Sequence, residues 1–189
     1  MHFAHDTEAA LQGTAALVNT LGSDGEDTLT TVAELDDFTR TWQWTGSRTH
    51  DRAELDAVRA LRPTLHRFWD LDEAGVAELV NTLLAQAGAL PRLVDHDHWG
   101  WHLHATADDA PLATRMVVES AMAMIDVVRS GELDRLSRCE ADDCEDVLVD
   151  LTRNRSRRFC STTCGNRVAA AAYRERQAAR GAASPEEAE

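Results

Sequence analysis

With 189 residues, 43% of them hydrophobic and only 5% aromatic, the chain has the material for one domain of about 130 residues and a small appendage. Its net charge of −14, taken alone, argues against a nucleic-acid partner. No apolar run approaches the ~20 residues that span a bilayer, and residues 1–20 lack the basic start, apolar stretch and cleavage site of a secretory leader, so a cytoplasmic protein without a membrane partner is expected.

Residues 7–21 place Ala10, Leu11, Ala15, Leu17, Val18 and Leu21 near the helical period, with Thr7 as N-cap. Asn19 and Thr20, at the end of that helix, suit either a helix terminus or a ligand contact. A second helix over 31–42 carries Val32, Leu35, Phe38 and Trp42 on one stripe. The turn that follows holds Trp42, Trp44 and Arg48, the pairing of apolar walls with a polar anchor that ligand pockets use, and a helix–helix corner would use the same tryptophans. A long helix is expected over 51–69, kinked or restarted at Pro63, and another over 72–87, stopping near Gly88.

Period-two alternation about Gly100 marks a hairpin over 91–106. A three-residue loop His98-Trp99-Gly100 would set Asp97 opposite Trp101 and His96 opposite His102. Leu93, Trp101 and Leu103 then share the packed face, and Val94, His96, His102 and His104 the wet one. Three histidines on one face suit a metal or a pH response, and equally any solvated ribbon. The strongest helix starts near Pro111 and runs to about Ser130, with Met116, Val117, Ala121, Met124, Ile125 and Val128 apolar.

All four cysteines fall in the last third: Cys139-Glu-Ala-Asp-Asp-Cys144, fifteen residues, then Cys160-Ser-Thr-Thr-Cys164. Two close pairs at that separation fit a four-thiolate zinc site, which is structural because four protein ligands leave no open position. Two disulfides or four unpaired thiols are the competing readings, and disulfides are disfavoured in a reducing cytosol. The run Val147-Leu-Val-Asp-Leu-Thr152 reads as a strand, and residues 168–180 as an alanine-rich helix. A first-pair knuckle, a hairpin and a helix carrying the second pair in its first turn make a treble-clef-like finger, too small to fold without metal.

Residues 150–180 hold eight arginines against Asp150 and Glu175, a local charge of +6, whereas residues 1–149 stand at −17. A cationic island on so acidic a chain points to phosphate, although a solvated surface balancing zinc-thiolate charge would also account for it. No nucleophile motif, phosphate-binding glycine loop or open metal site is present, so no enzyme is expected.

Arg153-Asn-Arg-Ser-Arg-Arg-Phe-Cys160, followed by Cys164-Gly-Asn-Arg167 and an arginine-bearing helix, resembles the CGNR zinc finger. That finger lies at the C-terminus of bacterial proteins with an ABATE domain, a family described as stress-induced transcription regulators. Leu17-Val-Asn-Thr20 and a Pro91-Arg-Leu-Val hairpin before a long helix are similar to the family's N-terminal domain. The fold expected is mostly α with a β-hairpin: a helical domain over 1–133, the finger over 134–180 and a disordered acidic tail over 181–189. One structural zinc would sit on Cys139, Cys144, Cys160 and Cys164. Arg153, Arg155, Arg157, Arg158, Arg167 and Arg174 would meet the phosphates of double-stranded DNA, while Trp42, Trp44 and Arg48 would receive a small-molecule effector. A single finger is a small footprint, so a homodimer is expected. The alternative is a zinc-stabilised module that grips an acidic protein instead of DNA.

Overall fold

The computed structural model describes residues 3–95 and 100–182; His96, His98, Trp99 and the acidic tail beyond Ala182 lie outside them. Helices α1 (His5–Asn19) and α6 (Leu112–Arg129) pack on each other at the centre, and α5 (Glu73–Gln86) packs along α6 as well. A helix with several partners must be apolar on more than one stripe, and α6 buries Met116, Ala121, Ala123, Met124 and Val127.

The shorter helices follow their local chemistry. α2 (Val32–Thr41) opens with a capping box, in which the Thr31 hydroxyl accepts from the Glu34 amide and the Glu34 carboxylate from the Thr31 amide. Asp51 caps α3 (Arg52–Arg59), and Pro63 lies in the first turn of α4 (Arg62–His66), which runs into a 3-10 turn at Arg67–Trp69. The single helix expected over 51–69 is therefore a chain of three short pieces, restarted where proline tolerates a missing amide. Leu11, Leu17, Leu35, Leu55, Leu65 and Phe68 are almost wholly shielded at the core. Truncating one such leucine to alanine costs about 2–5 kcal/mol.

Two expectations need correction. Thr7 does not cap α1: Ala4 holds the N-cap position, and the Thr7 hydroxyl donates to Asp126 Oδ2 at 2.6 Å, tying α1 to α6. The first hairpin, β1 (Arg92–Asp95) with β2 (Trp101–His104), pairs Asp95 with Trp101 and Val94 with His102. That register is two residues from the expected one, so Leu93, Trp101 and Leu103 still share one face and Val94, His102 and His104 the other. Its faces are also inverted. His102 is only 8% exposed, whereas Leu93 and Trp101 are 64% and 73% exposed. The histidine face can be buried because its polar atoms are paired: His102 Nδ1 with the Gly100 carbonyl at 2.8 Å, and Nε2 with His104 Nε2 at 3.1 Å.

The second hairpin, β3 (Leu136–Arg138) with β4 (Val147–Val149), belongs to the body as much as to the C-terminal unit. Val147 and Val149 sit in the same buried cluster as Leu11, Leu17 and Met116. Asn19, the last residue of α1, donates to the Val147 carbonyl at 2.8 Å and accepts from its amide at 2.9 Å. Trp69 Nε1 donates to the Leu148 carbonyl at 2.9 Å, and Arg138 pairs with Asp70 at 2.5 Å. The strand that follows residue 134 thus shares the core of the helical body.

Candidate metal centre and its cationic surface

Cys139 directly follows β3, and Cys144 lies in the loop returning to β4. Cys160 precedes α7 (Thr162–Ala182), and Cys164 sits in its first turn. The first pair therefore occupies the turn of a hairpin, not a knuckle ahead of one. The four sulfurs lie within 4.8 Å of one another, with Cys144 and Cys160 at 3.7 Å and Cys160 and Cys164 at 3.6 Å. A tetrahedral ion with Zn–S bonds of about 2.3 Å has edges of about 3.8 Å, which those two separations already match. All four are free thiols, not disulfides.

The local sequence explains the placement. Cys139, Ala141 and Cys164 form a small buried cluster, with Phe159 and Val168 packed against it. Gly165 lets the Phe159 ring lie on the helix: a Cβ there would meet Phe159 Cδ2 at 3.2 Å. The Ser161 hydroxyl accepts from the Cys164 amide at 3.2 Å and so caps α7. Asn166 is exposed, and its side chain makes no hydrogen bond among the described residues.

The thiols differ sharply in acidity. Burial raises Cys139, but hydrogen bonds from the Cys160 and Ala141 amides and from the Cys160 and Cys144 thiols together bring it below its ordinary value. Burial pushes Cys144 up to about 11, and burial with the neighbouring Cys164 raises Cys160 further. Four sulfurs in so small a volume cannot all ionise unaided, and a bound dication removes that penalty.

The arginines divide into two sets. Arg155 pairs with Glu132 at 2.8 Å and with Asp134. Arg157 donates from its guanidinium to the carbonyls of Val149, Phe159 and Cys160, and from its amide to Asp150 at 2.8 Å. Arg158 pairs with Glu140 at 2.5 Å and lies 5.6 Å above the Phe159 ring. Arg167 pairs with Asp143 at 2.6 Å and donates to Cys164 Sγ at 3.5 Å. These four hold the unit together. Arg153 and Arg174, with Arg176 and Arg180, are exposed and carry no ion pair among the described residues.

The CGNR zinc finger family matches residues 135–177, and a second family, ABATE, described as a putative stress-induced transcription regulator, matches residues 14–131. The chain belongs to the ABATE family. Its C-terminal unit is a CGNR zinc finger, whose four cysteines are set to hold one structural zinc. No curated protein is significantly similar to the chain.

In the ABATE body, Trp42 and Trp44 line a cavity of about 350 Å³ between the start of α1, the first hairpin and α6. Gly13 makes room for the Trp44 indole, since a Cβ there would stand 3.3 Å from Trp44 Cζ2. Arg48 is not among the lining residues. Its guanidinium is buried against Glu54, Thr39 and Asp36 at 2.8, 2.6 and 2.9 Å, joining α2 to α3. Sequence reasoning did not reveal the Asn19–Val147 clamp, because its partners are 128 residues apart. It also passed over Asp150, buried between Thr152 and the Arg157 amide, which shapes the loop carrying Arg153 and Arg155.

Proposed function

We propose that this ABATE protein regulates transcription by docking its CGNR finger on double-stranded DNA, with the body receiving a small-molecule effector. The observation that carries this reading is the set of unpartnered guanidinium groups on Arg153, Arg174, Arg176 and Arg180, against a body at −17. α7 spans 21 residues, about 31 Å at 1.5 Å per residue, and is exposed on all sides from Tyr173 to Arg180. An isolated cationic helix of that length suits the negative field of a duplex groove, with contacts mainly to phosphate. Exposed Asn166 is the side chain beside them able to meet a base edge.

The test is titration of zinc-loaded protein with random-sequence duplex at several salt concentrations. Four phosphate contacts predict a slope of log affinity on log salt of about −3 to −4. Charge reversal at Arg174, Arg176 and Arg180 together should remove most of the binding, whereas Arg158→Ala, which breaks an internal pair, should change it little. Absent or salt-insensitive binding would overturn the reading. The alternative, an acidic protein partner for the same arginines, predicts complexes that survive excess competing duplex.

A further inference from the structure

The ABATE cavity carries a statement about what enters it, which rests on the reading of the body as the sensing part. At about 350 Å³ it falls at the lower end of the range for organic ligands. Its lining combines two chemistries. Trp42, Trp44 and Trp101 supply aromatic surface, while Asp6 from α1 and Glu119 and Asp126 from α6 supply carboxylates. Among the described lining residues these carboxylates face a single guanidinium, that of Arg129, which is exposed.

The carboxylates follow from the helix period. Glu119, Met122, Ala123 and Asp126 recur at three, four and seven residues and so share the face of α6 turned to the cavity. Asp126 is fixed there: its Oδ2 accepts from the Thr7 hydroxyl at 2.6 Å, which leaves Oδ1 for a further partner. Anionic oxygen beside apolar walls is poorly hydrated and favours a cation more strongly than it would in water. Tryptophan faces attract the same charge. An anionic ligand would meet the Asp126 carboxylate, and a neutral one would desolvate it without forming an ion pair in return.

We propose that the cavity binds a hydrophobic organic cation, an ammonium with an aryl or branched alkyl body, its charge against Asp126 and its apolar part among the tryptophans. The test is calorimetry on the zinc-loaded full chain at about 0.15 M salt, where long-range attraction to the acidic body is screened. Three probes of similar shape are (4-phenylbutyl)trimethylammonium, 4-phenylbutanol and 4-phenylbutyrate. The cation should bind at least about tenfold more tightly than the alcohol, and the carboxylate not at all. Asp126→Asn keeps an acceptor for Thr7, and should weaken the cation about tenfold while leaving the alcohol unchanged, which also shows the cavity intact. Trp101→Ala, at an exposed position, should weaken both. Equal affinity for cation and carboxylate, or cation affinity indifferent to Asp126→Asn, would overturn the charge assignment alone. No heat with any probe would overturn the sensing reading with it, and duplex binding, measured separately, would stand.

Discussion

Asp27 holds more of the body together than its place in a Gly-Ser-Asp-Gly-Glu-Asp loop suggests. It accepts from both terminal nitrogens of Arg62 at 2.9 Å and from Arg59 at 2.7 Å, and Arg62 is 5% exposed. The Arg62 hydrogen bonds outweigh burial and, with the Leu29 amide and Arg59, hold the Asp27 carboxyl well below the usual range. A carboxylate favoured only in the folded state contributes fully above an unfolded value of about 3.9 and loses that contribution as pH falls toward its native value. Asp27→Asn, which strands a buried guanidinium, should cost about 3 kcal/mol at neutral pH. Urea midpoints from pH 7 down to about 3 should fall less steeply in that variant than in the parent. Arg157→Ala should act on the finger instead: with the carbonyls of Val149, Phe159 and Cys160 deprived of a donor, zinc should pass to a chromophoric chelator several-fold faster. Arg153→Ala should leave that rate alone. The sequence made these arginines look alike, because an unbroken cluster of one residue type says nothing of which members face carbonyls and which face solvent.

Among the elements, those governed by local chemistry were legible. The Thr31–Glu34 capping box, the restart at Pro63 and the stop at Gly88, whose φ is +59°, all follow from neighbours in the chain. The first hairpin shows where such reading ends. Alternation assigned Leu93, Trp101 and Leu103 to one face and His102 and His104 to the other, but alternation does not say which face a ribbon turns inward. The choice was made by hydrogen bonds to Gly100 and between the two rings. α7 permits a direct test at the same scale. Its exposed half touches nothing that folding needs, so ending the chain after Ala172 should leave zinc content and melting temperature unchanged. Duplex binding should fall by at least about tenfold, because three of the four unpartnered arginines go with it.

Across the whole molecule, the metal motif was the most legible feature, since spacing and residue type suffice to define a four-sulfur site. Its attachment was not. Val147-Leu-Val149 reads as a strand whether it packs within the finger or beneath α1, and only the long-range pairing with Asn19 and Trp69 decides. Calorimetry of the zinc-loaded protein should therefore show one transition, not two. Asn19→Ala, which leaves the buried amide and carbonyl of Val147 unpaired, should lower its midpoint, and would split it if the clamp alone couples the halves.

The strand beneath α1 also gives the ion a reach beyond its own coordination shell. A chelator strong enough to strip it would free the hairpin whose turn carries two of the sulfurs, and with it the valines that fill the floor of the helical bundle. Melting curves with and without such a chelator should then differ by several degrees even when signals from the tryptophans of the bundle alone are followed. Deprivation of zinc would silence the protein by dismantling the bundle from below, before any question of DNA contact arises.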